Sequence, residues 1–277
     1  MQQFFFTIVY LALANLAIGQ QKLLPIWQID SNIIAAKDAL YDAVEKRIYV
    51  TYGGNDPYTK DKNAGIALVS TDGKLIYPTW VNGLHSPRGM AITEFILFVV
   101  DQNEIAIIDV RKSNILQRVK IEGATALTDI AIGAEGIIYV TDTRMGRVYK
   151  MEKEKSSIIM EGLKNLCGIK AVGSNLFVVA AGGVLKIDAK KELTRLVSGL
   201  PTDAYGIEVV SKNEFVVACR SGALYYIKDQ QSIELQPTIS SGQGIVLGDI
   251  SYDAKRKIIY VTDNSANGLK AYQLLNK

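Results

Sequence analysis

The sequence predicts an all-β protein, a six-bladed β-propeller whose ring is closed by an N-terminal strand completing the last blade. Two repeated segments and one shortfall carry that prediction. An apolar pair with an aromatic residue, followed by valines, recurs six times: Ile48-Tyr49-Val50-Thr51, Leu97-Phe98-Val99-Val100-Asp101, Ile138-Tyr139-Val140-Thr141-Asp142, Leu176-Phe177-Val178-Val179, Glu214-Phe215-Val216-Val217 and Ile259-Tyr260-Val261-Thr262-Asp263. The steps between the aromatic residues are 49, 41, 38, 38 and 45, a mean of about 42, the length of a four-stranded propeller blade.

Each copy follows a second recurring segment, which we read as the innermost strand of the blade: Asp38 to Asp42, Arg88 to Ile92, Thr128 to Ile132, Cys167 to Ala171, Tyr205 to Val209 and Gly248 to Tyr252. Short β-branched and aromatic segments separated by Gly, Asn, Asp and Lys turns read as antiparallel strands. A third strand follows, as in Glu104 to Val110, Gly146 to Met151, Val184 to Asp188 and Ala223 to Ile227, and a fourth, as in Leu75 to Trp80, Leu116 to Ile121, Ser157 to Met160 and Leu193 to Leu196. The Asp72-Gly73 pair suits the tight turn between the last two strands of blade 1. The sixth unit stops after its third strand, Leu269 to Leu275, while Leu23 to Ile29 is strand-like and precedes blade 1 without belonging to it. That segment completes blade 6 and covers an otherwise open sheet edge. A β-sandwich or an open solenoid does not explain both the period and the shortfall.

The chain has 277 residues, 48% of them hydrophobic, and a formal charge of +3. Such a composition builds a large core and excludes disorder, and the balanced charge gives no footprint for nucleic acid. One histidine and two cysteines are too few for a His₂ or Cys₄ metal site. Residues 1–19 read as a signal peptide and 20–277 as the single mature domain: Met1 to Gln21 carries no charged side chain, Phe4 to Leu16 is an apolar core, and Ala17 and Gly19 are small. No later stretch approaches the roughly 20 apolar residues of a membrane helix. A secreted or periplasmic monomer without membrane insertion is expected, with Cys167 and Cys219 as free buried thiols.

Aligning the blades places Asp38, Gly89, Asp129, Gly168, Gly206 and Asp249 at one mouth of the central channel. Asp38, Asp129 and Asp249 are the candidate ligands of a divalent cation, Ca²⁺ by its preference for several oxygens. The alternative is that each carboxylate accepts hydrogen bonds from neighbouring strand-start amides. Asp101, Asp142 and Asp263 fall one layer out, where a turn-capping role competes with ligand contact. His85, the one side chain with a near-neutral unperturbed pKa, is a candidate proton shuttle beside Asp129 in catalysis. Tyr52, Arg88, Asp142, Tyr205 and Arg220 are the expected contacts to a small-molecule ligand, and the long connection Tyr52 to Asn63 reads as a partial lid or a tolerated insertion.

The run Leu127-Thr128-Asp129-Ile130-Ala131-Ile132 through Thr141-Asp142, then Gly146-Arg147-Val148-Tyr149, echoed in Gly248-Asp249-Ile250-Ser251-Tyr252 and Tyr260-Val261-Thr262-Asp263, resembles the regucalcin and gluconolactonase family, with kinship to NHL-repeat propellers. The resemblance spans nearly the whole mature chain. It implies a six-bladed propeller with a channel cation held by Glu, Asn and Asp that activates water against a sugar lactone. Asp38 stands where the family's Glu opens the first inner strand. Cys167 and Tyr205 stand where the family often has Asn or Asp, and Thr128 precedes Asp129. The two functions expected are therefore a metal-dependent hydrolase of small lactones or esters, and a non-catalytic propeller that binds a ligand or protein partner.

Overall fold

A computed structural model describes residues 21–54, 62–235 and 246–275. The proposed signal peptide and most of the Tyr52 to Asn63 connection lie outside them. The described residues form six four-stranded antiparallel sheets, and each of the first five is a simple meander of consecutive strands. Their inner strands are Asp38–Asp42, Pro87–Thr93, Leu127–Ile132, Ile169–Val172 and Ala204–Ser211, with Leu247–Asp253 in the sixth. Each inner strand touches the next around the ring, and the sixth touches the first. No helix among the described residues is long and apolar enough to cross a membrane.

Closure of the ring follows the sequence expectation. Lys22–Ile29 pairs antiparallel with Gly268–Leu275, setting Leu23 opposite Leu274 and Ile29 opposite Leu269, with a bulge between Pro25 and Trp27. Trp27 then lies across the last turn of blade 1, where its Nε1 donates to Thr71 O at 3.1 Å. Gly73 in that turn has φ +85°, and a Cβ there would sit 2.7 Å from the Trp27 ring. Only glycine meets both demands without strain.

Middle strands are apolar on both faces because a blade on each side buries them. Ile258–Asp263 is wholly buried, whereas the outer strand Asn114–Lys120 is mostly exposed. The core is divided into clusters that each straddle two blades. Tyr49, Ile66 and Leu68 of blade 1 pack with Met90, Leu97 and Val99 of blade 2, and Ile48, Val50 and Val69 pack with Ile29, Tyr260 and Leu269 of blade 6. Several strand boundaries shift from expectation, two of them for visible reasons. The blade 4 inner strand begins at Ile169, because the amides of Cys167 and Gly168 are drawn to Val179 O and Tyr205 O instead of a regular ladder. The outer strand of blade 1 runs to Leu84, carried past Trp80 by bulges against its neighbour.

Both cysteines are free thiols, Cys219 buried and Cys167 half-buried.

Candidate functional site at the channel mouth

The start of each inner strand is stitched to the next blade, and the stitch is written in the sequence as a pair. Where the strand opens with Asp, the second strand of that blade carries Thr: Asp38 with Thr51, Asp129 with Thr141, Asp249 with Thr262. The Thr141 hydroxyl accepts from Asp129 N at 3.1 Å and donates to Cys167 O of blade 4 at 2.7 Å. Thr51 does the same between Asp38 N and Arg88 O, and Thr262 donates to Lys37 O of blade 1. The carboxylates reinforce the stitch, since Asp38 Oδ2 accepts Met90 N and Asp129 Oδ2 accepts Ile169 N, each at 2.7 Å. Asp129 Oδ1 and Asp249 Oδ1 also accept the amides of Ile130 and Ile250.

Two residues further along the inner strands of blades 4 and 5 lie Lys170 and Glu208, paired at 3.0 Å. Neither was singled out from sequence. The signal was available, because both occupy one aligned position in adjacent blades and charged side chains on an innermost strand must find partners. Burial raises the carboxyl pKa of Asp38, Asp129, Asp249 and Glu208, and repulsion from Asp129 adds to it for Asp38 and Asp249. Lys170 opposes that rise in all four, and they in turn raise its own pKa against its burial.

Asp38, Asp129 and Asp249 are not among the groups of described acids whose ligand atoms lie within 4.8 Å of one another. Both oxygens of Asp129 are already engaged by buried amides, and the Lys170 ammonium supplies the neighbouring positive charge. Among the described residues, one set of three His, Cys, Asp or Glu side chains brings its ligand atoms within 4.8 Å of one another: His85, Asp101 and Glu104. There the cation position belongs to Arg118, whose Nη1 donates to Glu104 at 2.6 Å and Asp101 at 3.0 Å.

The expected turn-capping role of the outer aspartates is what the geometry displays. Asp101 accepts the amides of His85 and Ser86, and Asp263 accepts Ala266 N and Lys270 Nζ. Asp142, expected as a ligand contact, is fully buried, and its oxygens accept Thr125 N and Met145 N. Tyr52 is likewise displaced from the expected role, since its hydroxyl turns outward to Thr79 Oγ1 at 3.1 Å. His85 is buried, with its backbone amide donating to Asp101 at 3.0 Å. Its Nδ1 meets no partner among the described residues, and it does not line the mouth.

One layer above the acids is a pocket of about 230 Å³ lined by Lys37, Arg88, Tyr205, Arg220 and Asn264, with Gly54, Val246, Leu247 and Gly248. Three of the five ligand contacts expected from sequence, Arg88, Tyr205 and Arg220, meet here. Lys37 was missed, although it occupies in blade 1 the aligned position of Arg88 and Tyr205. The Arg220 guanidinium lies 4.2 Å from the centroid of the buried Tyr205 ring, which fixes its plane. Lys37 Nζ donates to Gly54 O and to Ser86 Oγ. Burial, aided by repulsion from Arg88 and Arg220, lowers its pKa to about 8 against an opposing pull from Asp101. Burial raises the Tyr205 phenol, so it remains a neutral donor.

No protein-family model matches the sequence, and no curated protein matches it. Solved structures do. The fold is shared with lyase and lactonase-like propellers. A catalytically inactive histidine-to-alanine variant of virginiamycin B lyase from Staphylococcus aureus, with quinupristin, superposes with a TM-score of 0.63 at 11% identity, covering 92% of this chain and 100% of that one. A streptogramin B lyase gives 0.65 at 11% identity over 92% and 98% of the two chains. A structural-genomics target described as a candidate gluconolactonase gives 0.66 at 11% identity over 93% of each. At these identities the likeness establishes the six-bladed architecture, in agreement with the resemblance read from sequence.

Proposed function

We propose that the channel mouth is a small-molecule site at which a lactone or ester is hydrolysed. The observation that carries this reading is the burial of Lys37 beside Arg88 and Arg220 in one small pocket, where burial and their repulsion lower its pKa to about 8. A general base works best when its pKa lies near the working pH. In the reaction, the neutral Lys37 amine takes a proton from a water molecule as that water's oxygen bonds to the substrate carbonyl carbon. The carbonyl electron pair moves to oxygen, where Arg88 and Arg220 stabilise the negative charge. Collapse of the intermediate breaks the bond to the leaving alkoxide, which takes the proton back from the Lys37 ammonium. The small pocket volume, below the roughly 300–1,000 Å³ of drug-sized sites, favours a compact substrate. The fold likeness to a candidate gluconolactonase agrees with this class.

The test is a panel of small lactones and esters assayed after exhaustive chelation and again with added Ca²⁺ or Mg²⁺. Turnover that rises with pH to a plateau above about 8, and is lost in Lys37→Gln, is expected. Full activity in Lys37→Gln overturns the assigned base, and turnover only with added metal returns the chemistry to the divalent cation implied by the family resemblance. The second reading, a non-catalytic binding propeller, is favoured by the absence of serine, cysteine, aspartate and glutamate among the described pocket-lining residues. Ligand binding without turnover would select it. We also propose that the chain is exported, as its N-terminal composition suggests, and acts as a monomer.

A further inference from the structure

We infer that the ligand belonging in the mouth is a small organic anion, carrying a carboxylate or phosphate in its ground state. This inference rests on the small-molecule reading of the same pocket and narrows its substrate class.

Among the described residues the pocket lining contains three cationic side chains, Lys37, Arg88 and Arg220, and no carboxylate. None of the three forms an ion pair with a described acidic residue, whereas Arg47, Arg118, Arg147 and Arg256 all do. Unpaired cations gathered in a concave site repel one another, and a structure retains such an arrangement where a bound anion relieves it. The acids beneath are turned toward the ring: Asp38 and Asp129 accept amides of the adjacent blades, Asp249 Oδ1 accepts Ile250 N, and burial raises all three toward their neutral form. Asp101 is the one acid acting on Lys37, and its oxygens are held by the amides of His85 and Ser86 and by Arg118.

Orientation supports the same conclusion. Stacking on Tyr205 sets the Arg220 guanidinium in a fixed plane, the state in which a planar fork binds carboxylate or phosphate in bidentate fashion with least loss of side-chain entropy. Arg88 projects from the opposite side of the ring, two blades from Lys170 and three from Tyr205. An anion between them is gripped from both sides by the two guanidiniums, with the Lys37 ammonium adding a third charge only below about pH 8, before it loses the proton it must shed to act as base.

The experiment is isothermal titration calorimetry of the whole protein at pH 7 and low ionic strength. Inorganic phosphate, citrate and gluconate are the anionic probes and glucose the neutral control. The anions should bind at least tenfold more tightly than glucose. Their affinity should fall at least tenfold in 0.5 M NaCl, where screening is strong, and at least tenfold in Arg88→Gln and Arg220→Gln. Comparison of phosphate with gluconate distinguishes the two kinds of anionic group. Thermal melting checks that each variant is folded, and exposed Arg220 is the substitution least able to disturb folding. Anions binding no better than glucose, or binding equally to wild type and both variants, overturns the inference. The two readings fail separately: neutral lactones turned over without anion affinity sink only this inference, and anion affinity without turnover sinks only the hydrolase.

Discussion

Replacing Lys170 by Met should destabilise the fold sharply and in a pH-dependent way. The Lys170 ammonium sits 3.0 Å from Glu208, with side-chain exposures of 22% and 14%, and it is the one cation offsetting the burial of Asp38, Asp129 and Asp249 as well. Removing one partner of a buried pair typically costs about 3–5 kcal/mol, because the other charge is left uncompensated. The acids can escape that penalty by protonating. Their folded pKa values are raised, so the folded state binds more protons than the unfolded state, and their contribution to stability is lost as pH rises from about 4 through the folded values. Lys170→Met steepens this loss. Urea unfolding should therefore show a deficit of about 3–5 kcal/mol at pH 8 that shrinks markedly at pH 5. The Lys170→Met, Glu208→Leu double variant should recover the part of it due to Glu208 at pH 8, and the rest, due to the three aspartates, should persist. A deficit equal at both pH values, or a double variant no better than the single, would refute the claim that Lys170 neutralises the channel.

Three further outcomes follow from the same geometry. Asp129→Ala strips acceptors from the buried amides of Ile130 and Ile169, each worth about 1–3 kcal/mol when orphaned, so chemical denaturation should register a loss of roughly 2–6 kcal/mol, with Asp129→Asn milder. Gly73→Ala forces a left-handed residue against Trp27. The strain alone is about 1–2 kcal/mol, and hydrogen exchange in Lys22–Ile29 should accelerate more than elsewhere as the closing strand loosens. Citrate affinity should be flat up to about pH 8 and then fall by up to tenfold per unit. Above that pH, Lys37, facing Arg88, Arg220 and Asp101, must take up a proton to bind the anion; Lys37→Gln should remove the pH dependence.

The period of the aromatic motif made the blade count legible, because every blade must bury its second strand between two neighbours, and so repeats the same apolar run. The terminal shortfall made the closure legible for a similar reason: an unpaired edge beside Gly268–Leu275 demanded a strand, and Leu23 to Ile29 was the segment left over. The mouth was half legible. Alignment of strand starts brought Arg88, Tyr205 and Arg220 to one face, but considering one position per blade overlooked Lys37 just before it and the Lys170–Glu208 pair just after. The burial of His85 was not legible, because depth in a loop is not a local property. Its amide is capped by Asp101, sixteen residues away. Asp142 and Tyr52 were assigned to the ligand by position, but the direction of a side chain depends on partners such as Thr125 and Thr79, which no periodicity announces.

The stitches between blades also explain why the ligand contacts are placed where they are. An inner strand that opens with glycine can receive the acid of the next blade: a Cβ on Gly89 would lie 2.5 Å from Asp129 Oδ1, and one on Gly206 would collide with Asp249. The close approach those glycines permit brings the residues just before them, Arg88 and Tyr205, toward the channel axis. Structure and recognition therefore occupy alternate positions on one strand, the acid-glycine contact fixing the ring and its neighbour facing the ligand. Substitutions at Lys37, Arg88, Tyr205 or Arg220 can then retune the mouth while leaving the stitches intact. Changes at Asp38, Asp129 or Asp249 must loosen the ring before they alter any chemistry. The charge order along the channel, cations at the entrance and acids beneath, follows from that division of labour between adjacent residues.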